Sequence, residues 1–149
     1  MKQEVVSQIH KSFEKLCETY GFGMLNEINE DGYYMVEYGS VDFKVEIEKY
    51  YRELYASVYK TNKSEDGVNL SNLLEYMQHG SSDKPESNHF LKEKDLNVAY
   101  TKQINHITTV LFENYTIVND FFRDDSYKLN MEAFRKYWQT KHPEFYKNQ

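Results

Sequence analysis

The run Val41-Asp42-Phe43-Lys44-Val45-Glu46-Ile47-Glu48 alternates apolar and charged side chains along its whole length. A period of two sets Val41, Phe43, Val45 and Ile47 on one side of a strand and Asp42, Lys44, Glu46 and Glu48 on the other. That is the pattern of a strand with one face against a core and the other in water. Working outward, Asp31-Gly32 lies between Met24–Ile28 and Tyr33–Tyr38, a hairpin signal because both residues tolerate the backbone a two-residue turn demands. Gly39-Ser40 turns the chain again, into the 41–48 run. After a bend near Lys49-Tyr50, the stretch Leu54–Tyr59 is rich in tyrosine and valine and supplies a fourth strand. Consecutive strands joined by short turns form an antiparallel meander, one face packed and one wet.

On both sides of the meander the period changes to that of a helix. Val5, Val6, Ile9, Phe13, Leu16, Cys17 and Tyr20 recur in steps of three and four, and Gly21 suits the left-handed cap that ends such a helix. Residues 60–69 are a polar loop. A short helix is expected from Leu70 to Gln78, stopping at Gly80. The stretch Gly80–Asn88 reads as a loop, since neither flank is large enough to be an independent domain. Leu96, Tyr100, Ile104, Ile107, Leu111, Tyr115, Val118 and Phe122 then define a long amphipathic helix, broken near Asn114–Thr116. Asn130 is the expected cap of a last helix holding Met131, Phe134, Tyr137 and Trp138, with Pro143 at its end. The expected fold is α+β: an N-terminal helix, a four-stranded antiparallel meander, then C-terminal helices packed on one face of the sheet, in a single domain over 1–149.

A chain of 149 residues buries roughly two-thirds of its unfolded surface, enough for a core without disulfides or metal. Its apolar runs, such as Val110-Leu111-Phe112, fall far short of the roughly 20 residues of a membrane span. The opening Met1–Val6 lacks the charged-then-apolar layout of a secretory signal, so a cytoplasmic location is expected. The lone Cys17 agrees with a reducing compartment. With 24 acids against 18 bases and a net charge of −6, direct nucleic-acid binding is disfavoured, because neutralising phosphates takes a basic surface.

The charge is concentrated. Residues 26–53 carry Glu27, Glu30, Asp31, Glu37, Asp42, Glu46, Glu48 and Glu53 against Lys44, Lys49 and Arg52, and the remainder is nearly balanced. Strand parity turns Asp42, Glu46 and Glu48 outward, with Tyr33, Met35 and Glu37 outward on the neighbouring strand. Carboxylates steer an oppositely charged partner and tyrosines give it rigid contact area. The candidate partner-binding residues are therefore Tyr33, Glu37, Tyr38, Asp42, Glu46 and Glu48. The plainer reading of the same residues is a polar face that keeps an exposed sheet soluble.

No catalytic set is evident. Gly21-Phe22-Gly23 leads out of a helix, so its amides point the wrong way for phosphate, and there is no phosphate-binding loop. His10, His79, His89, His106 and His142 are scattered. His79 and His89, with Asp83 and Glu86 between them, lack the spacing of a zinc site. Cys17 on the apolar helix face reads as a small hydrophobe. Glu46 and Glu48 share a strand face that offers no cleft for paired-carboxylate chemistry. Trp138, Tyr137, Phe134, Phe145 and Tyr146 look like an aromatic box, but aromatic residues at helical spacing are usually core; the alternative is that Phe145 and Tyr146 cover a partner groove. No cofactor and no metal is expected, and the chain is not expected to be an enzyme.

Tyr20-Gly21-Phe22 closing the first helix, the run Tyr38–Glu48, Tyr51-Arg52-Glu53-Leu54, Leu70-Ser71-Asn72-Leu73-Leu74 and Asp120-Phe121-Phe122-Arg123 together carry a resemblance of layout. It resembles the small acidic immunity proteins of bacterial polymorphic-toxin systems, including those paired with LXG-type toxins. The resemblance implies an antitoxin that binds a cognate toxin domain, often a nuclease, and neutralises it by stoichiometric occlusion. It implies no catalytic residues and does not fix the binding surface. The alternatives are a small enzyme whose site assembles only in three dimensions, and a phage or host regulator that binds a nucleic-acid enzyme through an acidic surface.

Overall fold

The computed structural model describes residues 1–63, 65–78 and 92–146. Helix α1 spans Gln3–Tyr20 and buries Val5, Val6, Ile9, Phe13 and Leu16, the stripe expected from their spacing. Gly21, at φ 72°, ends it by donating its backbone N–H to the Cys17 carbonyl. Strands β1 (Gly23–Glu30), β2 (Tyr33–Gly39), β3 (Phe43–Tyr50) and β4 (Glu53–Lys60) follow as the expected meander. A short β5 (Val68–Asn69) adds a fifth strand at the far edge, so the antiparallel order is β1-β2-β3-β4-β5.

Register explains which face is buried. Val36 lies opposite Ile47, and Ile47 opposite Ala56. With them, Tyr34, Tyr38, Phe43, Val45, Leu54 and Val58 are buried on one side of β2–β4. The helices pack there: α2 (Leu70–Met77), α3 (Leu96–Glu113), α4 (Tyr115–Phe121) and α5 (Tyr127–Lys141), followed by a 3₁₀ turn at Pro143–Phe145. Their buried side chains, among them Leu73, Ile104, Ile107, Phe122 and Met131, join the sheet residues and α1 in one continuous cluster. The architecture is α+β, with helices on one face of an antiparallel sheet. No described helix is long and apolar enough to cross a membrane.

Helix ends follow local chemistry. The Asn69 side chain accepts from the Asn72 N–H to start α2, and Asp95 accepts from the N–H groups of Asn97 and Val98 to start α3. The break between α3 and α4 falls at Asn114. Its amide donates back to the Val110 carbonyl at 2.9 Å while its oxygen accepts from Gln78 Nε2 at 2.8 Å. A side chain that takes up a helix carbonyl and a distant donor together fixes the break in place.

Four positions depart from the sequence expectation. Val41 is 89% exposed, because β3 begins only at Phe43 and residues 40–42 form the turn. Asp42 consequently does not project from the strand's outer face; its carboxylate lies 3.7 Å from Lys60 Nζ. Tyr38 shares the parity of Tyr34 and Val36 and is buried against α1 instead of facing outward. Helix α5 starts at Tyr127, after Ser126, so Asn130 is inside it; its amide donates to the Phe121 carbonyl. The Gly80 stop and the Gly80–Asn88 loop lie outside the described residues.

Candidate functional site

The face of the sheet away from the helices is built by the other strand parity. Glu37 on β2 lies opposite Glu46 on β3, and Met35 opposite Glu48; Glu48 in turn faces Tyr55 on β4, and Lys44 faces Tyr59. Antiparallel neighbours stand about 5 Å apart, so Glu37, Glu46 and Glu48 form a compact group of carboxylates. Lys44 is the cation set into it. Its Nζ is 3.6 Å from Glu37 Oε2 and 5.4 Å from the centre of the Tyr59 ring. Among the described residues Glu46 and Glu48 make no ion pair. Leu25 of β1 folds over Gly39: a Cβ there would stand 2.5 Å from Leu25 Cδ1, so a side chain at 39 requires that exposed leucine to swing away.

Crowding leaves an electrostatic mark. Burial, then hydrogen bonding to Glu48 and repulsion from Glu37 and Glu48, pushes the Glu46 carboxyl up to about 7. Burial raises the Tyr33 and Tyr59 phenols, and repulsion from Glu46, Glu48 and Glu37 raises both further. Those two rings therefore border the carboxylates. At one end of the sheet Tyr50 and Tyr51 are exposed, packed edge-on at 4.5 Å between centroids, with Tyr55 6.4 Å from Tyr50. The face thus combines negative charge with solvent-facing aromatic rings.

Of the residues expected to bind a partner, Tyr33, Glu37, Glu46 and Glu48 come together here. Asp42 does not; it joins Asp124, 2.5 Å from Lys60 Nζ, around a buried lysine that also donates to the Phe122 carbonyl at 2.7 Å. Tyr38 does not either. Its ring stacks on Phe13 at 4.1 Å with an interplanar angle of 3°. Its hydroxyl meets His10 Nδ1, His10 Nε2 lies 2.7 Å from Glu27 Oε2, and the Tyr34 hydroxyl donates to that same oxygen at 2.9 Å. The consistent assignment has Nε2–H donating to Glu27 and the Tyr38 hydroxyl donating to Nδ1. This chain of bonds fastens α1 to β1 and β2. Lys44, Tyr50, Tyr55 and Tyr59 belong to the face but were not singled out by sequence; parity places Lys44 with Glu46 and Glu48, and only strand pairing brings in the tyrosines of β4.

Other candidate chemistry finds little support. No group of three or more His, Cys, Asp or Glu side chains suited to a metal occurs among the described residues, and His79, Asp83, Glu86 and His89 lie outside them. The Cys17 thiol is pushed up by burial and by Glu14 and Glu18, the opposite of an activated nucleophile. Trp138 lies between Phe134 and His142, 4.0 Å from the latter ring, and Phe145 is exposed. A cleft of about 210 Å³ between β4, α2 and α3 is lined by Leu54, Tyr55, Ala56, Asn69, Leu70, Ser71, Gln103 and Ile107, without a histidine or carboxylate. No protein-family model, curated protein or solved structure was found to match the chain.

Proposed function

We propose that this chain is an immunity protein that binds a basic cognate toxin through the face of its sheet opposite the helices and neutralises it by occlusion, with no catalysis of its own. One observation carries the reading: the face opposite the helices gathers Glu37, Glu46 and Glu48 under a border of tyrosines, with Lys44 paired, among the described residues, to Glu37 and not to the other two. Above about pH 7, where Glu46 gives up its proton, like charges held this close raise the free energy of the unbound protein. A lysine or arginine from a partner offsets that repulsion, while the same field steers the encounter. Tyr33, Tyr50, Tyr51 and Tyr55 supply rigid contact area with few rotamers to freeze. The layout resemblance to immunity proteins of LXG-type systems supplies the kind of partner, and a nuclease domain fits its basic character.

The test is co-expression with the product of the adjacent upstream gene, followed by co-purification at low and high salt. The expected result is relief of toxicity and a complex that forms more slowly as salt screens the acidic face. A toxic neighbour that is neither captured nor neutralised overturns the reading.

A further inference from the structure

Strand β1 is the first strand of the sheet, paired only with β2 among the described residues, and it runs for 8 residues, Gly23–Glu30. Along that length every residue is exposed except Ile28, which is half-buried. From beneath, α1 makes polar contacts with this strand, Met1 with Asn29 and His10 with Glu27. Among the described residues, the outer edge of β1 is therefore a row of backbone donors and acceptors with no strand partner. Proteins commonly blunt such an edge with lysine, proline, a very short strand, a bulge or an inward-pointing charge; of these β1 has the last two, a register shift at its start and Glu27 turned inward to His10 and Tyr34, which leaves residues 26–30 as the regular length of edge. β1 has neither lysine nor proline, and its irregularity is one register shift at its start, between Met24 and Asn26.

Resting on the toxin-binding reading above, we propose that an extended, cationic segment of the partner adds to β1 as a further antiparallel or parallel strand. Charge selects the occupant. The side chains of β1 include Glu27 and Glu30 and no base, and Asn26, opposite Glu37, opens directly onto the acidic face. Strands lie about 4.8 Å apart, so a lysine or arginine opposite Asn26 spans the one intervening strand to reach Glu37. A second copy of this chain is the poorer occupant: antiparallel self-pairing about the middle of β1 sets Glu27 near its own counterpart, and each copy carries a net charge of −6. Backbone pairing then contributes affinity and the cationic side chains register and specificity.

The experiment is amide hydrogen exchange by NMR on the full chain, with a ten-residue peptide of alternating lysine and valine as the probe. A backbone N-methylated form of that peptide keeps the charge and loses the donors. Strand addition slows exchange of alternate amides within 23–30 at least tenfold with the first peptide and less than twofold with the second. Equal effects of both peptides, or slowing confined to the β4–β5 edge, overturn the proposal. Protection of β1 that grows with protein concentration alone also overturns it, in favour of self-association. A parallel capture assay with Glu46→Lys/Glu48→Lys separates the two readings. Capture of the neighbour-encoded toxin that these substitutions abolish, with β1 amides unchanged by peptide, keeps the acidic face and rejects the added strand. Peptide pairing at β1 without any toxin capture rejects the immunity reading instead.

Discussion

Glu46 is the residue at which the packing of the sheet works against its charge. Its carboxyl sits at about 7 in the folded protein against an ordinary value of 4.5. Below the ordinary value both folded and unfolded chains hold the proton. Between the two values the folded chain keeps it and the unfolded chain loses it, so stability falls as pH rises through that window and the contribution is gone above it. Glu46→Gln should therefore match the parent near pH 4 and exceed it at pH 8, by about 1 kcal/mol once solvent screening of this half-exposed group is allowed for. Urea titrations at several pH values measure this; a parent whose stability is flat between pH 5 and 8 contradicts it. Lys60 is the opposite case, a buried cation that satisfies the Phe122 carbonyl and two aspartates. Lys60→Ala removes the donor of the Phe122 carbonyl and the cation beside Asp42, while the exposed Asp124 turns to water, and should cost about 2 kcal/mol; a loss within 0.5 kcal/mol, the usual bound for an ordinary surface site, is the contrary result.

At the scale of elements, α1 is held to the sheet by apolar packing and by a short polar chain. Phe13 is fully buried and stacked on Tyr38, so Phe13→Ala should destabilise by about 3–4 kcal/mol in chemical denaturation. Tyr38→Phe keeps the stack and removes the hydroxyl that meets His10, which should cost about 1 kcal/mol. Tyr33→Phe, on the other face, should leave stability unchanged, and Tyr33→Ala should weaken capture of the partner. An equal stability loss from Tyr33→Phe and Tyr38→Phe would contradict these placements. The distinction was legible in the chain: Tyr33 and Tyr38 differ in parity along one strand, so they cannot share a face. The start of β3 was less legible. Alternation runs back through Val41 and Asp42 without interruption, and only the geometry of the turn from Gly39 excludes them from the strand. Asn130 has the chemistry of a cap, but the turn at 122–126 lets α5 begin earlier, with the Ser126 hydroxyl donating to the Asp120 carbonyl.

For the whole molecule, the uneven charge predicts that Glu46→Lys/Glu48→Lys slows association with a basic partner roughly tenfold at low salt and by less at high salt, without unfolding the chain. Stopped-flow or surface-binding kinetics on the captured complex read this, and association rates equal to the parent's would move the interface elsewhere. The sequence by itself determined the order of the helices and of β1–β4, because periods of two and of about 3.6 are written in local spacing and need no distant partner; the two-residue β5, inside the expected 60–69 loop, is a strand only through its pairing with β4. It likewise determined that negative charge gathers on the meander, since adjacent strands carry it. Only the tertiary structure decided which members of that charged region meet. Strand register sets Glu37 against Glu46 and Glu48 against Tyr55, while Lys60 draws Asp42 away toward the helical side. Register and ion pairing depend on residues far apart in the chain, and spacing along one strand carries no record of its neighbour's alignment.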